Sequence, residues 1–259
     1  MWQRWCLLAL CGMTALGADV CDGLPSGQPR WWDNSNIYAD PPQTLSFRLS
    51  VKPGGPAFRI TVRPFSHEIF KGRPQNGSEF IHAGDIEVAR CQDGKQLQLL
   101  PIMAWQPLDF APTFHAEDIN FDGYLDFFVL TEYAAGWVRR SYWVYDPGSG
   151  LFVQNELTRV LREGCLGEAW HGACQADFEF DPQQHEIVTY YMHGCPGDQR
   201  EGDRYRVENN RLVLVHKEAV AYAATTDRAY CTLTISDLVD GTLRVTAVRR
   251  FDFHGQPVP

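Results

Sequence analysis

Through most of the chain, apolar residues recur at every second position. Leu45-Ser-Phe-Arg-Leu-Ser-Val51 alternates, Pro53-Gly54-Gly55-Pro56 turns, and Phe58-Arg-Ile-Thr-Val-Arg63 alternates again. That is the pattern of a hairpin with one buried and one wet face. It returns over 84–90, breaks at Asp93-Gly94-Lys95 and resumes over 96–100. Residues 125–130 and 142–146 make a third pair around a segment holding Ala134, Ala135 and Gly136, and Phe152-Val153 follows the turn residues 147–150. Further strands are expected over 177–180, 186–191, 204–207, 212–217, 231–235 and 243–253, the last two joined through Asp240-Gly241. Only 155–162 reads as a short helix. So many short strands separated by turn residues predict an all-β fold, a propeller-like or sandwich arrangement of antiparallel strands. The lack of a strict internal repeat argues against a many-bladed propeller with regular motifs.

The ends divide the chain further. Residues 1–18 carry one positive charge at Arg4, an apolar run and then small residues, the composition of a secretory signal peptide. Residues 19–43 read as an irregular arm, rich in Pro, Gly, Asn, Asp and Ser around Trp31 and Trp32. Residues 44–218 form the expected β domain, and 219–259 a C-terminal hairpin extension. No later segment reaches the roughly 20 apolar residues of a membrane span, so a periplasmic or secreted protein is expected. Past the leader six cysteines remain, Cys21, Cys91, Cys165, Cys174, Cys195 and Cys231. In an oxidising compartment they allow up to three disulfides, with Cys165 and Cys174 the nearest local pair. The formal net charge of −9 disfavours nucleic acid and anionic membranes and suits a basic protein partner.

One segment has metal-ligand spacing. Asp118-Ile119-Asn120-Phe121-Asp122-Gly123-Tyr124-Leu125-Asp126 places side-chain oxygens at its first, third, fifth and ninth positions, with glycine at the sixth. A loop wrapping Ca²⁺ needs alternate side chains turned inward, a backbone carbonyl at the seventh position (Tyr124) and a residue free to adopt positive φ at the tight turn. An EF-hand would need an acid at the twelfth position, which is Val129. The expectation is therefore a nine-residue calcium loop over 118–126 that closes as the chain enters a strand, with Asp118, Asn120, Asp122, Tyr124 and Asp126 as ligands and a structural role. The competing explanation is an acidic turn with Asp and Gly present for turn chemistry alone.

The run from Ala116 to Leu130, followed by Tyr142-Trp-Val-Tyr-Asp-Pro-Gly-Ser-Gly-Leu-Phe152, resembles a bacterial periplasmic family. Its members include immunity proteins of bacterium-killing type IV secretion systems. Asp93–Gln98, Phe180-Asp-Pro, 186–190 and 205–215 agree with the same pattern, so the resemblance spans roughly residues 84–218. It implies a fold like that of the periplasmic inhibitors of invertebrate-type lysozyme, and a partner that is a peptidoglycan hydrolase whose cleft a rigid loop occludes. Two segments qualify as that loop: 132–140, with Tyr133, Trp137, Arg139 and Arg140 as anchors, and 191–198, with Tyr191 and His193. Anchors of these types dominate protein interfaces. The cysteines between 165 and 195 and the tail after 218 depart from the family pattern.

Other chemistry is set aside. His171-Gly-Ala-Cys174 and His193-Gly-Cys195 could suggest zinc, but exported cysteines favour disulfides. No nucleophile elbow, phosphate loop or zinc-protease helix is present, and no catalytic residues are assigned, so the chain is not expected to be an enzyme. The alternative to an inhibitor is a carbohydrate-binding or envelope scaffold module without inhibitory activity.

Overall fold

The structure is a computed structural model and describes residues 19–26, 44–64, 81–104, 114–134, 137–163, 177–192, 200–224, 229–252 and 256–258. Its strands form three antiparallel meanders in chain order. The first is Leu45–Ser50 (β1), Ala57–Pro64 (β2), Ile81–Arg90 (β3) and Gln96–Ala104 (β4). The second is Phe114–Glu117 (β5), Asp126–Ala134 (β6), Trp137–Asp146 (β7) and Leu151–Val153 (β8). The third, of six strands, is Asp177–Asp181 (β9), Glu186–Met192 (β10), Arg200–Glu208 (β11), Arg211–Ala224 (β12), Ala229–Val239 (β13) and Thr242–Phe251 (β14). One helix, Glu156–Glu163 (α1), leads out of the second sheet. The fold is all-β, sandwich-like and not a closed barrel; among the described residues no helix is long and apolar enough to cross a membrane.

The second sheet lies between the other two because its strands are apolar on both faces. Along β7, Trp143 and Tyr145 enter a core with Phe47, Phe58, Ile60, Val62, Ile86, Val88 and Ile102 of the first sheet. Tyr142 and Val144 enter a second core with Leu157 and Leu161 of α1 and with Ile187 and Tyr205 of the third sheet. Successive strand residues point to opposite faces, so the run Tyr142-Trp143-Val144-Tyr145 serves both cores. In the first core Phe47, Phe114, Phe127, Trp143, Tyr145, Phe152 and Phe58 form a chain of tilted and edge-on ring contacts 4.0–5.8 Å between centroids, arrangements that aromatic quadrupoles favour. Helix α1 starts at a reciprocal cap: the Thr158 N–H donates to Asn155 Oδ1 at 3.1 Å and the Asn155 N–H donates to Thr158 Oγ1 at 2.7 Å. This satisfies two donors that a helix start otherwise strands.

Turn chemistry sets two hairpins of the third sheet. Asn209 and Asn210 between β11 and β12, and Asp240 and Gly241 between β13 and β14, all have φ between 51° and 74°. Two-residue turns of this hand match the right-handed twist of the flanking strands.

The expected strands are present, with three differences. Strand β5 was not foreseen, because Phe114-His-Ala-Glu117 is too short to show alternation. Strand β7 begins at Trp137 rather than 142, and β6 runs to Ala134. Residues 132–134 and 137–140, expected as part of a loop, are therefore paired strand, with Glu132↔Arg139, Tyr133↔Val138 and Ala134↔Trp137. Consecutive Arg139 and Arg140 hid the alternation, and a bulge between Leu130 and Glu132 shifts its phase. Strands β11 to β13 are also longer than their apolar cores suggested, and β14 ends at Phe251 rather than 253.

A disulfide joins Cys21 to Cys91 across a sequence separation of 70, a loop length for which chain entropy gives roughly 4 kcal/mol of stabilisation. It fastens the start of the arm to the end of β3, helped by an Asp19–Arg48 ion pair at 3.0 Å and by Arg48 N–H donating to the Pro25 carbonyl at 3.0 Å. Cys231 is also disulfide-bonded. Cys165, Cys174 and Cys195, the leader 1–18, and Trp31 and Trp32 lie outside the described residues.

Glu87 is a mostly buried carboxylate on β3, with Arg59 at 3.1 Å and Arg63 at 2.6 Å. Burial pushes its pKa up, but hydrogen bonds and charge from Arg63 and Arg59 outweigh that and hold it below the usual glutamate value. A depressed carboxylate stabilises the fold above its unfolded-state pKa and loses that contribution as pH falls through the folded-state value. Replacing Glu87 by Gln is expected to cost about 1–2 kcal/mol at pH 7 and to flatten the loss of stability below the normal glutamate range. Urea melts of both proteins across pH 3–7 would check this; parallel pH profiles would contradict it.

Candidate cation loop and the adjoining hairpin

Loop 118–126 connects β5 to β6, and its side chains turn inward at alternate positions. Asp118 accepts the Asp122 N–H at Oδ1 (3.1 Å) and the Gly123 N–H at Oδ2 (2.9 Å). Asn120 Oδ1 accepts the Asp122 N–H at 3.3 Å, and Asp122 Oδ1 accepts the Tyr124 N–H at 3.0 Å. These short-range bonds coil the backbone around the carboxylates, and the coil needs positive φ at Phe121 (58°) and Gly123 (85°). At Gly123 the sequence supplies the residue suited to it. Phe121 is held there by packing, stacked on His185 with ring centroids 5.4 Å apart.

Asp126 is the anchor of the loop. It is fully buried, and its Oδ2 accepts the N–H groups of Ile119 at 2.9 Å and Asn120 at 3.3 Å, while Oδ1 accepts the Tyr145 N–H at 2.8 Å. Burial pushes its pKa up to about 8 against the pull of the Tyr145 and Ile119 N–H donors, and the charges of Asp122 and Asp118 push the same way. Burial also raises Asp118, opposed by the N–H groups of Gly123 and Asp122. The charge of Asp122 thus adds to the burial that disfavours ionisation of Asp118 and Asp126, a situation a divalent cation relieves.

The loop touches all three sheets. Leu125 N–H donates to the Val51 carbonyl at 2.6 Å, and Lys52 Nζ donates to the Tyr124 hydroxyl at 2.8 Å, both from the turn after β1. Ile119 is buried in the second core. Asn120 Nδ2 donates to Asn210 Oδ1 at 3.2 Å, and His185 carries the Phe121 ring, both from turns of the third sheet.

The donor set has the chemistry a hard cation takes: three carboxylates and a carboxamide, with one lone pair on Asp126 Oδ1 beyond its single N–H donor. The carboxylates are nevertheless spread. Among the described residues, the one set of three Asp, Glu, His or Cys ligand atoms within 4.8 Å of one another is Asp19, Cys21 and Cys91, and those two sulfurs are joined to each other. In the loop, Asn120 Nδ2 also donates to Asp122 Oδ2 at 3.1 Å. A shared inner shell for Asp118, Asp122 and Asp126 requires their carboxylates to draw closer together.

From this base β6 and β7 run on as the hairpin carrying the expected anchors. Tyr133 lies on β6, and Trp137, Arg139 and Arg140 on β7. Arg140 lies over the Phe128 ring at 5.3 Å, a cation–π contact that draws it back along the sheet. Tyr191 lies near the end of β10, and His193 is outside the described residues. Tyr191 thus sits on a different sheet from Tyr133, Trp137, Arg139 and Arg140. Sequence reasoning missed Lys52, His185 and Asn210, whose ties to the loop cross 60 or more residues and have no local signal.

No protein-family model matches the sequence, and no curated protein does. A solved structure described as a Xanthomonas type IV secretion system related protein is similar at 16% identity and a TM-score of 0.44, covering 78% of this chain and 93% of that one.

Asp126→Ala removes the acceptor for three N–H groups, two of them in bonds that are buried. The expected loss is about 3 kcal/mol, read as a lowered urea midpoint with accelerated hydrogen exchange at Ile119 and Tyr145. Exchange at those two amides no faster than in the parent would show that the carboxylate does not hold them.

Proposed function

We propose that the protein is a calcium-stabilised binding protein of the periplasm or extracellular space that inhibits a peptidoglycan hydrolase by occluding its cleft. One observation carries this reading: a loop of calcium-ligand composition is bonded to all three sheets and continues directly into β6, the first strand of the hairpin bearing Tyr133, Trp137, Arg139 and Arg140. Calcium would draw Asp118, Asn120, Asp122 and Asp126 together with the Tyr124 carbonyl and stiffen the hairpin at its root. A stiff element loses little freedom on docking, which favours a small insertion into a narrow cleft. The Cys21–Cys91 disulfide supports an oxidising compartment. The net charge of −9 favours encounter with a basic hydrolase.

Two measurements test it. Millimolar calcium is expected to raise the melting temperature of the parent and to leave an Asp118→Ala/Asp122→Ala double variant unchanged; an equal response in both would remove the cation from the proposal. Excess protein is expected to suppress muramidase activity on peptidoglycan, with Trp137→Ala weakening inhibition by about tenfold or more at unchanged stability. Full muramidase activity across a panel of lysozymes, alongside direct binding to peptidoglycan, would favour a carbohydrate-binding module instead.

A further inference from the structure

The outer edge of the third sheet carries chemistry that the hairpin and the cation loop leave unused. β14 is the terminal strand of that sheet, ten residues long, and all but Ala247 and Phe251 are exposed. Val245 and Val248 are 61% and 57% exposed. Its inner edge pairs with β13 from Cys231↔Phe251 to Val239↔Thr242. Among the described residues, the outer edge is covered only at its end, by the chain's own tail, with an antiparallel Phe251↔Pro257 bridge and the Val258 N–H donating to the Arg250 carbonyl at 3.0 Å. Among the described residues, the outward backbone groups from Thr242 to Arg249 have no partner. A long unpaired edge of this kind is a template for another strand unless something blocks it.

The side chains decide which strand. Thr242-Leu-Arg-Val-Thr-Ala-Val-Arg-Arg-Phe251 contains three arginines and no acid, within a chain of net charge −9. Arg244 stands opposite Asp237 in register, but Asp237 is already engaged by His216 Nδ1 at 2.6 Å and by the Thr246 hydroxyl. Arg244 and Arg249 form no ion pair among the described residues. A second copy is a poor occupant. The antiparallel register that sets Val245 against Val248 of that copy also sets Arg244 against its Arg249, twice over, and directly opposed like charges destabilise a sheet.

We infer that the β14 edge is a docking site for an extended acidic segment of a partner protein, which adds as a further antiparallel strand beside Thr242–Arg249. Main-chain hydrogen bonds supply the affinity and alternate side chains the selectivity: carboxylates meet Arg244 and Arg249, and β-branched residues lie along Val245 and Val248. The tail at Pro257 and Val258 sets the end of the groove.

The test uses the full folded chain and a short capped peptide of Glu, Val and Thr, with two controls: the Lys-for-Glu counterpart, and the acidic peptide N-methylated at alternate amides. The acidic peptide is expected to protect the outward β14 amides from hydrogen exchange, and both controls to fail. R244E/R249E, a surface change, is expected to weaken the acidic peptide roughly fivefold to tenfold and to admit the Lys peptide. Equal protection by acidic and Lys peptides, no protection at millimolar peptide, or a dimer in sedimentation that protects the same amides would each overturn the assignment.

Discussion

The carboxylate of Asp126 ties together the start of the 118–126 loop, the start of β6 and the end of β7. Three backbone N–H groups, from Ile119, Asn120 and Tyr145, converge on its two oxygens inside the protein. Strand β6 cannot start where it does unless those donors are satisfied, because a buried N–H without an acceptor is costly. The same residue fixes the coil of the 118–126 loop, and the coil in turn places Ile119 in one core and Leu125 against the other. A single ionisable group thus sets the relative position of two hydrophobic cores. Its burial gives it a raised pKa, and its neighbours Asp118 and Asp122 oppose its charge further.

How much of this could be read from sequence follows from the range of each interaction. Strand positions were legible wherever alternation ran for five or more residues, and the short helix expected over 155–162 lies at Glu156–Glu163, with Asn155 outside it as the cap. The loop was legible because its oxygen-bearing side chains, its glycine and its closing acid fall within nine consecutive residues. The β6–β7 hairpin was misread as a loop because Arg139 and Arg140 interrupt the alternation and the bulge near Leu130 shifts its phase. The Cys21–Cys91 pairing was not legible, since cysteines 70 residues apart carry no pairing signal until the first sheet brings them together. Lys52, His185 and Asn210 escaped for the same reason.

The three meanders divide the physical work. The first sheet and the inner face of the second form an aromatic core closed by the disulfide at one corner. The third sheet covers the second only with its early strands and α1; its outer strands splay into solvent, with a small cluster around Cys231, Phe251, Val220 and Leu233. Conformational rigidity and exposed strand edge therefore sit in different regions of the molecule, so that a ligand on one need not disturb the other.

Among the described residues, both faces of the second sheet pack against apolar neighbours. Peeling away the first sheet would hydrate Phe127, Trp143 and Tyr145, and peeling away the third would hydrate Tyr142, Val144 and Ile119. Either separation exposes large apolar surface on two layers at once, so partial opening is nearly as unfavourable as complete denaturation. The layers from β1 to α1 are consequently expected to open as one cooperative unit.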